Sequence, residues 1–131
     1  MGPINWLAVL AAAALAIILW LLGHSLLFPV RRGLLAPPPT GPAARLPLPI
    51  VVFLIAAAML GHNFARLGAD TLAVKPWLYW MQSGGFALTF IAPAVLLTYQ
   101  GGETLYGRRA GDALLWIVVF LAMGTVFWAL G

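Results

Sequence analysis

The sequence contains no cysteine. Disulfides, thiolate metal sites, thiol nucleophiles and haem attached through Cys-x-x-Cys-His are therefore excluded. Charge is almost as scarce. Only 8% of the 131 residues are Asp, Glu, Lys or Arg, while 63% are hydrophobic; soluble domains carry about 25% charged residues. Too few polar side chains remain to cover a water-facing surface, so lipid is the expected main solvent. The three acidic residues, Asp70, Glu103 and Asp112, lie far apart and offer no general acid/base pair. Asp112 stands where the last helix is expected to start, and a negative group there favours the helix dipole. No Ser/His/Asp order, P-loop or dinucleotide fingerprint occurs. The net charge of +4 comes from a few residues flanking apolar runs. This is a topology signal and not a nucleic-acid footprint, so no nucleic-acid partner is expected.

What the chain has in abundance is apolar runs. Four of them, over residues 4–28, 48–67, 76–98 and 111–130, are each long enough to cross roughly 30 Å of hydrocarbon. The expected fold is an all-α integral membrane protein, a four-transmembrane-helix up-down bundle forming a single transmembrane domain over residues 1–131. The first run lacks a basic leader and exceeds the roughly 7–15 apolar residues of a signal peptide, so it reads as a retained helix. Residues 33–47 form a proline-rich linker, read either as a stiff connector or as a partner surface. Gly68-Ala69-Asp70 breaks the second run, and a short loop follows. Trp77, Tyr79 and Trp80 form an aromatic belt at the start of the third. Pro93 removes one helical hydrogen bond and predicts a kink near Thr89.

Basic residues are retained on the cytoplasmic side of a membrane. Arg31, Arg32 and Arg45 lie between runs one and two, and Arg108 and Arg109 between runs three and four. Arg66 and Lys75 alone lie between runs two and three. This places both termini on the periplasmic side of a bacterial inner membrane.

His24 and His62 are the first candidates for chemistry. Runs one and two are antiparallel, which separates the two imidazoles in depth by roughly 15 Å at 1.5 Å per residue. They cannot share a metal or haem, and no metal or cofactor is expected. Each reads as a partly buried histidine near the headgroups, or as part of a ligand site or proton relay. His62, Arg66 and Asp70 are spaced i, i+4, i+8. If the helix continues that far they form one stripe in which Arg66 and Asp70 can pair. Asn63, Gln82, Ser83 and Asn5 are expected at similar depth. The cluster His62, Asn63, Arg66 and Gln82 reads as a shallow site for a quinone, lipid headgroup or small polar ligand, or as interfacial residues meeting water. Ala57, Gly61 and Ala65 recur every fourth residue, and run one holds Ala11 to Ala14 and Ala16. Such small residues allow close helix approach, within the chain or with a partner.

The opening Ile4-Asn5-Trp6-Leu7-Ala8-Val9-Leu10 and Leu26-Leu27-Phe28 resemble the small bacterial membrane proteins grouped as domain of unknown function 1761. Gly85-Phe86, Leu105-Tyr106-Gly107-Arg108, and Gly124 with Trp128 extend the resemblance over most of the chain. Gly23-His24 departs from it, standing where that family carries Trp-Tyr. The resemblance implies four helices and a bacterial membrane, and it supplies no activity.

The leading functional expectation is a non-catalytic accessory or structural subunit of a larger bacterial membrane complex of respiratory or photosynthetic type. Its partners would be the lipid bilayer, other membrane subunits or a second copy of itself. The alternative is a small oligomeric transporter or channel. Against it, mid-membrane polarity is limited to Thr89, Thr125 and the kink at Pro93. A third reading is a membrane enzyme or binder of a lipid or quinone using His24 or the His62 cluster.

Overall fold

The computed structural model describes residues 2–27, 46–100 and 106–131, and among these every regular element is helical. Helix α1 spans Trp6–Leu27, α2 Pro47–Leu67 and α3 Ala69–Val74. The third span comprises α4 (Leu78–Phe86), a π-helical turn (Ala87–Ile91) and α5 (Ala92–Thr98); α6 spans Tyr106–Leu130. Four stretches, Trp6–Leu26, Pro47–Leu67, Leu78–Thr98 and Arg108–Leu130, are long and apolar enough to cross a membrane. The protein is thus the all-α four-helix bundle that its composition predicts. Residues 28–45, with Arg31, Arg32, Arg45 and most of the proline-rich linker, lie outside the described residues; the linker's last residue, Pro47, instead opens α2.

Helix α1 is central because one of its faces is almost side-chain-free. Ala8, Ala12, Ala13 and Ala16 are all at most 2% exposed. They let the backbones of α2 and α6 come close, and α1 packs against both. Ala57 and Gly61 complete this seam from α2: Ala57 is fully buried, and a Cβ on Gly61 would stand 2.8 Å from Val9 Cγ2. Ala65, half-buried, accepts a hydrogen bond at its carbonyl from Gly2 N–H at 3.1 Å. For Ala57 and Gly61, the small-residue pattern is therefore used inside the chain. Helix α6 in turn packs on α4, the π turn and α5, so the lateral order is α2, α1, α6, third span. Spans two and three, consecutive in sequence, touch little. They meet at one end, where Phe64 lies 4.8 Å from Tyr79 and 5.1 Å from Phe127 between ring centroids. At the other end the rings of Trp20, Phe53 and Trp116 form a chain.

The helix ends have local causes. Asn5 is the N-cap of α1: its Oδ1 accepts from Ala8 N–H at 3.1 Å. Its Nδ2 donates to the Leu130 carbonyl at 2.7 Å, tying the start of α1 to the end of α6. Pro47 and Pro49 occupy the first turn of α2, where no backbone donor is needed. Gly68 ends α2 with φ 82, in the left-handed region that suits a residue without Cβ. The expected loop after it is instead mostly helix α3.

Two expectations change shape. Pro93 lacks an N–H, and the distortion predicted near Thr89 takes the form of the π turn just before it. There Ala92 N–H reaches back five residues to the Ala87 carbonyl. The aromatic belt divides: Trp77 is 55% exposed, whereas Tyr79 is buried against Phe64. Trp80 crosses to α6, where its Nε1–H donates to Thr125 Oγ1 at 3.0 Å and its ring packs on Trp128.

Candidate functional site

The polar residues near the α2–α4 end do not assemble into a site. The helix breaks at Gly68, so the stripe His62, Arg66, Asp70 does not continue, and no ion pair joins Arg66 to Asp70. His62 and Arg66 are exposed, and Asn63 and Gln82 are half-buried. No hydrogen bond joins these side chains to one another. Ser83 points elsewhere, fully buried in the seam between α4 and α6, where its hydroxyl donates to the Tyr79 carbonyl at 2.8 Å. Asn5 is engaged as a cap. A small cavity of about 150 Å³ does lie at this end, among Asn5, Gly61, Ala65, Tyr79 and Phe127. It is below the roughly 300 Å³ at which ligand pockets begin.

His24 lies at the opposite end of the bundle from His62, as the antiparallel order of α1 and α2 requires. Its Nε2 stands 3.5 Å from Asp112 Oδ1. The other carboxylate oxygen, Oδ2, accepts a hydrogen bond from the Tyr99 hydroxyl at 3.1 Å. Three spans therefore contribute one polar group each to a single point. The helix-dipole account of Asp112 does not hold. Helix α6 begins at Tyr106 and not near Gly111, which puts Asp112 in its second turn, beyond the reach of the dipole's end effect. Its side chain is 10% exposed and is directed at α1 and the end of α5. Burial, then the neighbouring carboxylate that its hydroxyl bonds, push the Tyr99 phenol above its ordinary range, with Arg108 acting the other way. Tyr99 accordingly stays an O–H donor at neutral pH.

These groups form one end of a groove between α1, α5 and α6. Its volume is about 510 Å³, and its apolar part is lined by Trp20, Phe90, Ile91, Ala94 and Trp116. The Trp20 ring lies 4.4 Å from that of His24. On the far side of Trp20 and Trp116 a second hollow of about 210 Å³ reaches Phe53 and Pro49 of α2. The π turn supplies Phe90 and Ile91, so the extra residue in span three shapes the groove wall.

Sequence reasoning singled out His24 but missed Asp112 and Tyr99 as its company. A signal was present. The end of span one, the end of span three and the start of span four all lie on one side of an up-down bundle. An acid and an imidazole at a common depth are a pair worth testing. Among the described residues no group of three metal-ligating side chains occurs. Neither a protein-family model, nor a curated protein, nor a solved structure matches this chain.

Proposed function

We propose that this protein is a non-catalytic, membrane-embedded binder of a small amphiphile, with the groove at His24, Asp112 and Tyr99 as its site. One observation carries the reading: a groove of about 510 Å³, polar at one end and aromatic along its length, inside the span region of the bundle. Ligand sites commonly combine a largely apolar wall with a few convergent polar groups, and ionisable groups in membranes are most often functional. The third reading from sequence, a lipid or quinone binder, is thereby preferred to a transporter. The mid-membrane hydroxyls named for transport are engaged in the fold: Thr125 accepts from Trp80 and donates to the Leu121 carbonyl, and Thr89 donates to the Gly85 carbonyl.

In this proposal the chain sits in a bacterial inner membrane with both termini periplasmic. The groove's polar end then lies at the cytoplasmic side. The test is native mass spectrometry of protein extracted in mild detergent, beside an Ala94→Trp variant whose indole fills the groove. One small molecule held per wild-type chain and lost from the variant is the expected result. Retention by the variant overturns the assignment of the site. Stoichiometric recovery within a multi-subunit complex, with the groove empty, would return the accessory-subunit reading to first place.

A further inference from the structure

The groove's polar end is unbalanced in its hydrogen bonding. Both of its hydroxyls are committed as donors within the protein: Tyr99 to Asp112 Oδ2 at 3.1 Å, and Thr98 Oγ1 to the Ala94 carbonyl at 2.8 Å. The acceptors are not used up. An ionised carboxylate has about four lone-pair sites. Asp112 receives one hydrogen bond, on Oδ2, while Oδ1 has no hydrogen-bond donor and sees the His24 imidazole at 3.5 Å. This carboxylate is nine-tenths buried and lines the groove. Oδ1 is itself closed off, so a ligand in the groove meets the carboxylate at Oδ2, which has room for a donor beyond Tyr99. A buried carboxylate short of donors is costly, and a ligand that supplies one reduces the cost.

We propose, resting on the binding role above, that the groove selects amphiphiles whose head carries an O–H or N–H donor on an aromatic body, and discriminates against heads that only accept. The donor bonds the Asp112 carboxylate, and the body lies along Trp20, Phe90 and Trp116. A hydroxyl and an ammonium share this chemistry. Taking an ammonium out of water into this largely apolar groove costs more than taking a neutral hydroxyl, which favours the hydroxyl. The His24 imidazole and the indole N–H groups of Trp20 and Trp116 are donors as well. A hydrogen bond to an ionised acceptor is roughly twice as strong as a neutral one, so the carboxylate sets the preference.

Three probes of one shape separate the possibilities: 4-hexylphenol, 4-hexylbenzylamine and the acceptor-only 4-hexylanisole. Each is titrated calorimetrically into the full-length protein in nanodiscs, with protein-free nanodiscs subtracted. The expected order is phenol, then amine, then anisole, with the phenol at least about tenfold tighter than the anisole. Asp112→Asn should reduce that ratio to below about threefold. Tyr99→Phe, which releases Oδ2, should preserve or enlarge it, and keeps the proposal testable if the Asp112 variant does not fold. Anisole binding as tightly as the phenol, or a ratio unchanged in Asp112→Asn, overturns the donor preference while leaving a binding groove. Saturable binding of none of the three overturns the binding role itself.

Discussion

Asn5 satisfies two helix ends at once, capping α1 through Oδ1 and holding the last carbonyl of α6 through Nδ2. Asn5→Ala removes both bonds. A lost N-cap costs about 1 kcal/mol, and the interhelix bond adds to that; thermal unfolding in detergent should show the loss, with no change in helix content. Gly124 is a position of close approach between α6 and α4. A Cβ there would stand 2.9 Å from the Tyr79 carbonyl oxygen and collide with Ser83 Oγ. Backbone cannot move aside as a flexible side chain does. Gly124→Ala is expected to destabilise by about 1–3 kcal/mol, the usual cost of overpacking. Gly85 faces open space, so Gly85→Ala should be neutral or stabilising by about 0.5–1 kcal/mol. Equal effects of the two substitutions in the same melting assay would refute the account of the α4–α6 seam.

Among the elements, the third span differs most from an ideal helix. Its π turn accommodates one residue more than an α-helix of the same length, which turns α5 relative to α4. Leu88, within the turn, is 61% exposed and contributes little to the core. Deleting it should reclose the turn as α-helix and leave α5 in its register on α6, because the turn is where the additional residue is absorbed. With α4 held by Ser83 and Gly124, Ala94 should keep its place on the groove wall. Helix content by circular dichroism should be unchanged and ligand binding should stay within about tenfold of the wild type; a larger loss would refute the turn's role as the absorber of the additional residue. How much of this was readable in advance follows from which forces act locally. Pro93 announces a distortion because its missing N–H is a property of one residue. Gly68 likewise announces the end of α2. The form of the distortion, a π turn, depends on how α4 and α5 pack on α6, and no residue of the span encodes that alone. Helix α3 was hidden because six residues between two breaks carry too short a period to read. The His24–Asp112–Tyr99 cluster joins three spans, so its members are distant in sequence. Only the shared depth implied by up-down topology links them.

For the whole molecule, the absence of cysteine is an experimental convenience. Single cysteines introduced at positions 2 and 131 should react with an impermeant maleimide from the periplasmic side of intact cells. A cysteine at position 100 should react only after the membrane is permeabilised. The reverse pattern would overturn the orientation, which rests on five basic residues in two loops against two in the third. The four spans were visible because hydropathy in lipid is a one-dimensional property of the chain. Their lateral order was not. It follows from where the alanines of α1 and the glycines of α6 and α2 allow backbones to meet, which is a matter of three-dimensional fit.

That lateral order has a consequence for how the protein is made. Helix α1 leaves the ribosome before α6, yet the two pack against each other at the centre of the bundle. Until α6 is inserted, the alanine face of α1 has α2 on one flank and only lipid on the other. A chain arrested after its third span would hold that face open, along with the capping amide of Asn5, and present both to the membrane's proteases. Insertion of α6 is thus also the step that seals α1, and the lifetime of a product truncated before α6 should report directly on that closure.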